Sequence, residues 1–325
     1  MQKIIIILRN LIIEMKNILV LLLSVIFAVA FSSCTSQKEA RQRMKEFESE
    51  MFFAEKEVHY LYDSSKAEMV LYLELPIENL LYQINYGNNL YESKINISVN
   101  ITGDNDSVII MKSYNEYSAF TETEIKDKVR QSLFYVYKYC LEQGKYTLNI
   151  KVKDENSENE YTKTYAFHVK DFSAKSITAS DLLLLKDYIE KPDGTREITP
   201  LIRNNISEIK NPYVFFEIYN NSQSDSEKQF ILKISDSTEK HISADTLTYN
   251  LKIGKNRKIE KLNFRGIDIK MKDKENAISP YRYNNPGMYA KIELIDKATN
   301  EILSEKKLFL ISENFVPDMY KPHRQ

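Results

Sequence analysis

Two cysteines, four histidines and a few loops rich in acidic residues are the places in this sequence where side chains could do more than pack. Cys34 stands in "FAVAFSSCTSQKEA", directly behind a long apolar run, where it could be a nucleophile, a metal ligand, half of a disulfide or an attachment point. Cys140, in "YKYCLEQGKY", has no histidine near it in sequence, and the expectation there is a small buried hydrophobe. His59, His168, His241 and His323 are widely scattered with no HxH, HExxH or Cys-x-x-Cys beside them, so no sequence-local zinc site is expected. His168, between Phe167 and Val169, is expected on the solvent face of a strand. In "DENSENE", Asp154, Asn156 and Glu158 alternate as calcium ligands would. That loop lacks the glycine of a calcium-binding turn and has Tyr165 where a bidentate glutamate belongs, which favours a solvated hairpin. No nucleophile elbow occurs, and no carboxylate pair sits in an aromatic or glycine-rich setting that would raise a pKa. Catalytic residues, metals and cofactors are therefore not expected.

Composition narrows the partners. The 45 basic residues nearly cancel the 46 acidic ones, so no whole-molecule field draws the chain to nucleic acid. Only 7 glycines are present, where ordinary usage would give about 23. Neither GxGxxG nor GxxxxGK[ST] appears, which excludes the common nucleotide-binding loops.

The run "ILVLLLSVIFAVAF", residues 18–31, is uncharged, preceded by Lys16 and followed by Ser32 and Ser33. It is shorter than the roughly 20 residues a membrane span needs and has the length and flanks of a signal-peptide core. Met15-Lys16-Asn17 makes a cleaner start than Met1, so 1–33 is expected to be a signal peptide whose translation begins at Met15. "FSSC" resembles the lipobox of bacterial lipoproteins, with Phe31 in place of the usual leucine. That resemblance implies diacylglycerol on Cys34 and acyl chains such as palmitate, in preference to an uncleaved anchor or a reactive thiol.

Residues 34–56 are expected to be a helical tether, with Met44, Phe47, Met51 and Phe52 forming an apolar stripe. From residue 57 the period becomes two: Met69, Leu71, Leu73 and Leu75 share one face, as do Ile95, Ile97, Val99 and Ile101. An internal echo links "QGKYTLNIKVKDENSENEYTKTYAFHVKDF" with "PGMYAKIELIDKATNEILSEKKLFLISENF". Each half reads as a Gly-x-Tyr entry, a strand, a polar hairpin and a closing strand, with Ala290, Ile292 and Leu294 inward in the second copy and a bulge or a one-residue offset expected there. Tyr146 and Tyr289 fall where immunoglobulin-like sandwiches place a packed tyrosine whose hydroxyl bonds back to backbone. The expected fold is all-β: two tandem immunoglobulin-like antiparallel sandwiches, 57–172 and 173–312, followed by a tail at 313–325.

The segments "LELPIENLLYQINYGNNLYESKINISVNI", "LEQGKYTLNIKVKD" and "VKDFSAKSITASDLLLL" resemble the N-terminal β-rich region of GWxTD-domain proteins, envelope proteins of Bacteroidetes. The chain has no tryptophan, so the motif that names the family is absent, and a truncated or divergent member is implied. The resemblance supplies architecture and compartment only. Asp106-Ser107-Val108, Asp236-Ser237-Thr238 and Asp245-Thr246-Leu247 resemble the Bacteroides O-glycosylation pattern, making Ser107, Ser237 and Thr246 candidate acceptors. The expected function is a non-catalytic, lipid-anchored scaffold in the outer membrane that meets an envelope protein. "TSQKEA" lacks the acidic residues of surface-export signals, which favours the periplasmic face. A carbohydrate-binding protein using tyrosine-rich sandwich faces is the alternative.

Overall fold

Alternation decides most of this fold. In "KAEMVLYLELP" the residues Met69, Leu71, Leu73 and Leu75 must leave water together, and all four are fully buried in strand β2 (Lys66–Pro76). The computed structural model describes residues 52–62, 66–128, 131–193, 195–203, 212–236, 241–263 and 289–309; the side chains of Asp236, His241, Ile242, Tyr289 and Phe309 fall outside that description. All described residues belong to one compact unit.

Four antiparallel sheets make up an all-β, sandwich-type fold. In the first, β1 (Phe53–Leu61) pairs with β2, which pairs with β6 (Ser132–Leu141). In the second, β4 (Leu90–Gly103) lies between β5 (Val108–Phe120) and β7 (Gly144–Asp154), with β8 (Glu160–Val169) beyond β7 and the short β3 (Gln83–Asn85) beside the start of β4. Their inner faces share one core, in which Met69, Leu71 and Leu73 meet Ile95, Ile97, Val99, Leu148, Ile150 and Val152. The third sheet holds β9 (Ile177–Ala179), β10 (Leu183–Glu190), β11 (Arg196–Pro200), β12 (Tyr213–Asn220) and β15 (Gly254–Lys261). The fourth runs in the order β14 (His241–Leu251), β13 (Ser226–Asp236), β16 (Tyr289–Asp296), β17 (Glu301–Phe309). A second core joins these two, with Leu184, Phe216 and Ile218 packed against Phe230, Leu232, Ile292 and Leu294.

Local chemistry accounts for the joints. The segment after residue 120 forms helix α1 (Glu122–Lys128) and then β6. Thr121 starts α1 with a capping box: its Oγ1 accepts from Glu124 N at 3.2 Å while Glu124 Oε2 accepts from Thr121 N at 2.9 Å. Ala290, Ile292 and Leu294 alternate into the second core, and the register of β16 against β17 shifts between Leu294 and Ile295, where Leu303 is the extra residue on β17.

Two expectations are corrected. The helical stripe was expected to reach residue 56, but Phe53–Leu61 is strand, because Phe52, Val58 and Tyr60 enter the first core. Cys140 is exposed instead of buried: alternation along β6 turns its neighbours Tyr139 and Leu141 inward and the thiol outward. The tail expected at 313–325 lies outside the described residues.

Candidate functional site

An inner face of β1 filled with Val58 and Tyr60 leaves Glu55, Glu57 and His59 on the other side, and β2 adds Glu68, Tyr72 and Glu74 to that same surface. A surface of this kind would ordinarily face water. Here the second pair of sheets covers much of it, and Glu57 and Glu74 are each only 2% exposed. From the opposing side come Asp181, after β9, Glu217 and Tyr219 of β12, Lys255 and Arg257 of β15, and Lys306 of β17.

The centre of this seam is built on a carboxylate. Glu217 accepts from the Tyr219 hydroxyl at 2.6 Å and from Arg257 Nε at 3.0 Å, and pairs with Lys255 Nζ at 3.2 Å. Burial pushes its pKa up, but the Tyr219 hydroxyl, Lys255, His59 and Arg257 outweigh that and hold Glu217 below the ordinary carboxylate range. The Tyr219 hydroxyl also accepts from Tyr60 N at 2.8 Å, which carries a side chain of the second pair of sheets into the first core. Around that bond, the rings of Tyr60, Phe172 and Tyr219 lie 5.5–5.6 Å apart, with Phe172 stacked on Tyr60 and Tyr219 edge-on to both.

Backbone is bonded across the seam as well. Val58 N donates to Asp181 Oδ2 at 3.1 Å and Asp181 N donates to Val58 O at 3.0 Å. Lys306 pairs with Glu55 at 2.9 Å, Lys170 Nζ donates to Leu303 O at 2.8 Å, and Arg203 Nε reaches Glu74 Oε1 at 2.8 Å. Glu57, unlike Glu55, Glu74 and Glu217, has no bonded cation among the described residues. Its Oε2 accepts a long 3.3 Å bond from Tyr72, and its Oε1 is buried without a hydrogen-bond partner. Burial first, then the neighbouring charges of Glu217 and Asp181, push Glu57 up to about 8, so it is held as a neutral acid at neutral pH. Burial also lowers the pKa of His59, which sits 3.0 Å from Glu68.

The expected sites are dispersed. Cys34, Ser237 and His323 lie outside the described residues, as do the side chains of Tyr289 and His241. The Tyr146 ring stacks on Phe167 at 5.5 Å and its hydroxyl donates to Glu142 O at 3.0 Å. Ser107 is exposed beside a tight turn in which Asp106 has φ of 56°, and Thr246 is exposed on β14. Asp154 is buried, accepting from Leu81 N, Asn156 N and Ser157 Oγ at 2.8–2.9 Å, so its oxygens serve the hairpin. No metal-binding cluster of His, Cys, Asp or Glu occurs among the described residues. None of Glu57, Asp181 or Glu217 stood out in the sequence. The signal was a lone glutamate inside an apolar strand, as in "VFFEIY", since a charge at such a place must be paired.

Two other surfaces carry polar or aromatic groups. Between the edges of β5 and β6, Tyr114 stacks on Tyr137 at 4.1 Å, Tyr114 and Tyr139 share a 3.1 Å hydroxyl contact, and Tyr137 donates to Glu116 Oε1 at 2.9 Å. On the outer face of β4 and β5, Asn96 donates to Ser113 Oγ at 2.9 Å and to Asn115 Oδ1 at 2.7 Å.

No family model matches the chain, and no curated protein does. Among solved structures it is similar to a Bacteroides uniformis β-glucuronidase 2 calcium-binding mutant, at 9% identity and a TM-score of 0.25 over 78% of this chain and 28% of that one. It is also similar to red sea bream transglutaminase, at 5% identity and a TM-score of 0.22 over 80% of this chain and 31% of that one. Against trypsin-activated α-2-macroglobulin from Escherichia coli the identity is 8% and the TM-score 0.22, over 80% and 16% of the two chains. The chain thus spans less than a third of the length of each of these structures.

Proposed function

We propose that this chain is a non-catalytic, lipid-anchored cell-envelope protein that serves as a structural or protein-interaction scaffold, held by acyl chains on Cys34 in the outer membrane and facing the periplasm. The observation that supports it is the seam: Asp181, Tyr219 and Lys306 bond across to β1 and hold two sheet pairs together instead of lining an open cleft. A scaffold needs a fixed relation between its parts, and bonds of this kind supply one. Crosslinking in intact cells followed by mass spectrometry tests the reading. Recovery of a defined envelope protein is the expected result; recovery of none, with purified protein binding glycan, would replace it. Labelling with an alkyne palmitate analogue should mark the wild-type chain and leave Cys34→Ser unmarked.

Carbohydrate binding is the second reading, favoured by the amide and hydroxyl row of Asn96, Ser98, Ser113 and Asn115 with exposed Tyr117 on the same strand. Against it, the rings of Tyr114 and Tyr137 stack on each other, which leaves less of each ring for a sugar. Titration with neutral oligosaccharides, comparing wild type with Asn96→Ala, distinguishes the two.

A further inference from the structure

β5 is an edge strand of 13 residues that pairs only with β4 among the described strands. Such an edge presents a row of backbone donors and acceptors able to take another strand, and proteins ordinarily blunt it with charge, proline or a covering element. β1 shows the covered case, its outward backbone being bonded to Asp181 and Tyr219. β5 instead carries Val108, Ile109, Met111 and Tyr117 in the open, with Met111 69% exposed. Lys112 is its one basic residue.

We infer that β5 is a self-association edge: two copies of this chain pair their β5 strands antiparallel about a two-fold axis through Tyr114, joining two sheets into one. The partner is fixed by the strand's own sequence. A two-fold axis normal to the sheet keeps each residue type opposite one on the same face, and an axis at Tyr114 pairs the regular stretch Ile110–Ser118 with itself, beyond the extra residue Ile109 that shifts the register of β5 against β4. Lys112 then lies directly opposite Glu116 of the second copy, twice per dimer. On the other face Met111 meets Tyr117, and Ser113 meets Asn115. Moving the axis to Ser113 or Asn115 would set Lys112 against Tyr114 or Ser118 and lose both ion pairs. Opposite charges and apolar pairs facing each other across strands are the contacts that stabilise a sheet. Glu116 already accepts the Tyr137 hydroxyl through Oε1, which fixes its side chain near the edge. This inference does not depend on the scaffold reading.

The test is sedimentation velocity on the full chain in detergent, using wild type, Lys112→Glu, Glu116→Lys and an equimolar mixture of the two variants. Wild type should dimerise, each variant should associate about tenfold more weakly because like charges now face each other, and the mixture should recover dimer as a heterodimer. Because Glu116→Lys removes a bond to Tyr137, a second assay avoids it. In a Cys34→Ser, Cys140→Ser background, Ser113→Cys and Asn115→Cys chains should form an intermolecular disulfide on oxidation when mixed and not when alone. Monomeric wild type, variants that dimerise as well as wild type, or a disulfide that forms equally within either single-variant sample would overturn the inference.

Discussion

Glu57 combines near-complete burial, one long hydrogen bond and two acidic neighbours, so the folded chain keeps its proton to about pH 8 while the unfolded chain releases it near 4.5. A carboxyl whose folded pKa is raised contributes its full stability below the unfolded value and loses it as pH rises through the folded one. Glu57→Gln keeps the shape of the neutral acid and has no proton to lose. Its melting temperature should therefore exceed that of wild type at pH 8.5, and the two should converge towards pH 5, as differential scanning fluorimetry would show. His59 shifts the other way, being held neutral by burial, and affects stability only on the acid side of its ordinary value of 6.5. Tyr219→Phe should cost about 1–3 kcal/mol, because Tyr60 N loses its acceptor and Glu217 a donor inside the seam. None of these effects was legible in the sequence. A glutamate in "KEVHYL" looks like an ordinary outward residue until a second sheet pair is laid over it, and period-two reading cannot report what lies beyond a strand's own face.

At the scale of elements the sequence spoke clearly wherever one face of a strand is buried and the other wet. Met69 to Leu75 and Ile95 to Ile101 alternate cleanly and are strands with those faces inward, and the shifted register of the second closing hairpin is a bulge at Leu294/Ile295. It spoke poorly at Phe53–Lys56, where the aromatic pair Phe52-Phe53 fits a helical stripe and a strand equally well until packing decides. The β7–β8 hairpin offers two tests. Asp154→Ala removes an acceptor from Leu81 N, Asn156 N and Ser157 Oγ and should destabilise by about 2–3 kcal/mol. Glu158 has φ of 60°, a left-handed conformation that costs an L-residue with a long side chain about 1–2 kcal/mol. Glu158→Gly should relieve it and, net of the added freedom of the unfolded chain, stabilise by about 0.5–1 kcal/mol, read as a higher urea midpoint with unchanged slope.

For the whole molecule, the seam makes two cores behave as one. The described region should unfold in a single calorimetric transition, and Glu217→Ala, which leaves Lys255 and Arg257 without their acceptor inside the second sheet pair, should cost on the order of 3 kcal/mol yet keep one transition, because the Val58–Asp181, Tyr60–Tyr219, Glu55–Lys306 and Glu74–Arg203 bonds across the seam remain. Two transitions in the variant would mean that Glu217 carries the coupling by holding Tyr219 in place. The charges that build the seam come from β1, β2, β12, β15 and β17, distant in sequence, which is why no motif announced them. The same geometry has a mechanical meaning. A pull transmitted through the residues before Phe53 enters the described structure at β1, an edge strand that would otherwise peel from β2 one bond at a time. With Val58 fastened on its free side to Asp181 and Tyr60 to Tyr219, peeling has to rupture bonds on both sides of the strand together, so the load passes into the second sheet pair before the first gives way.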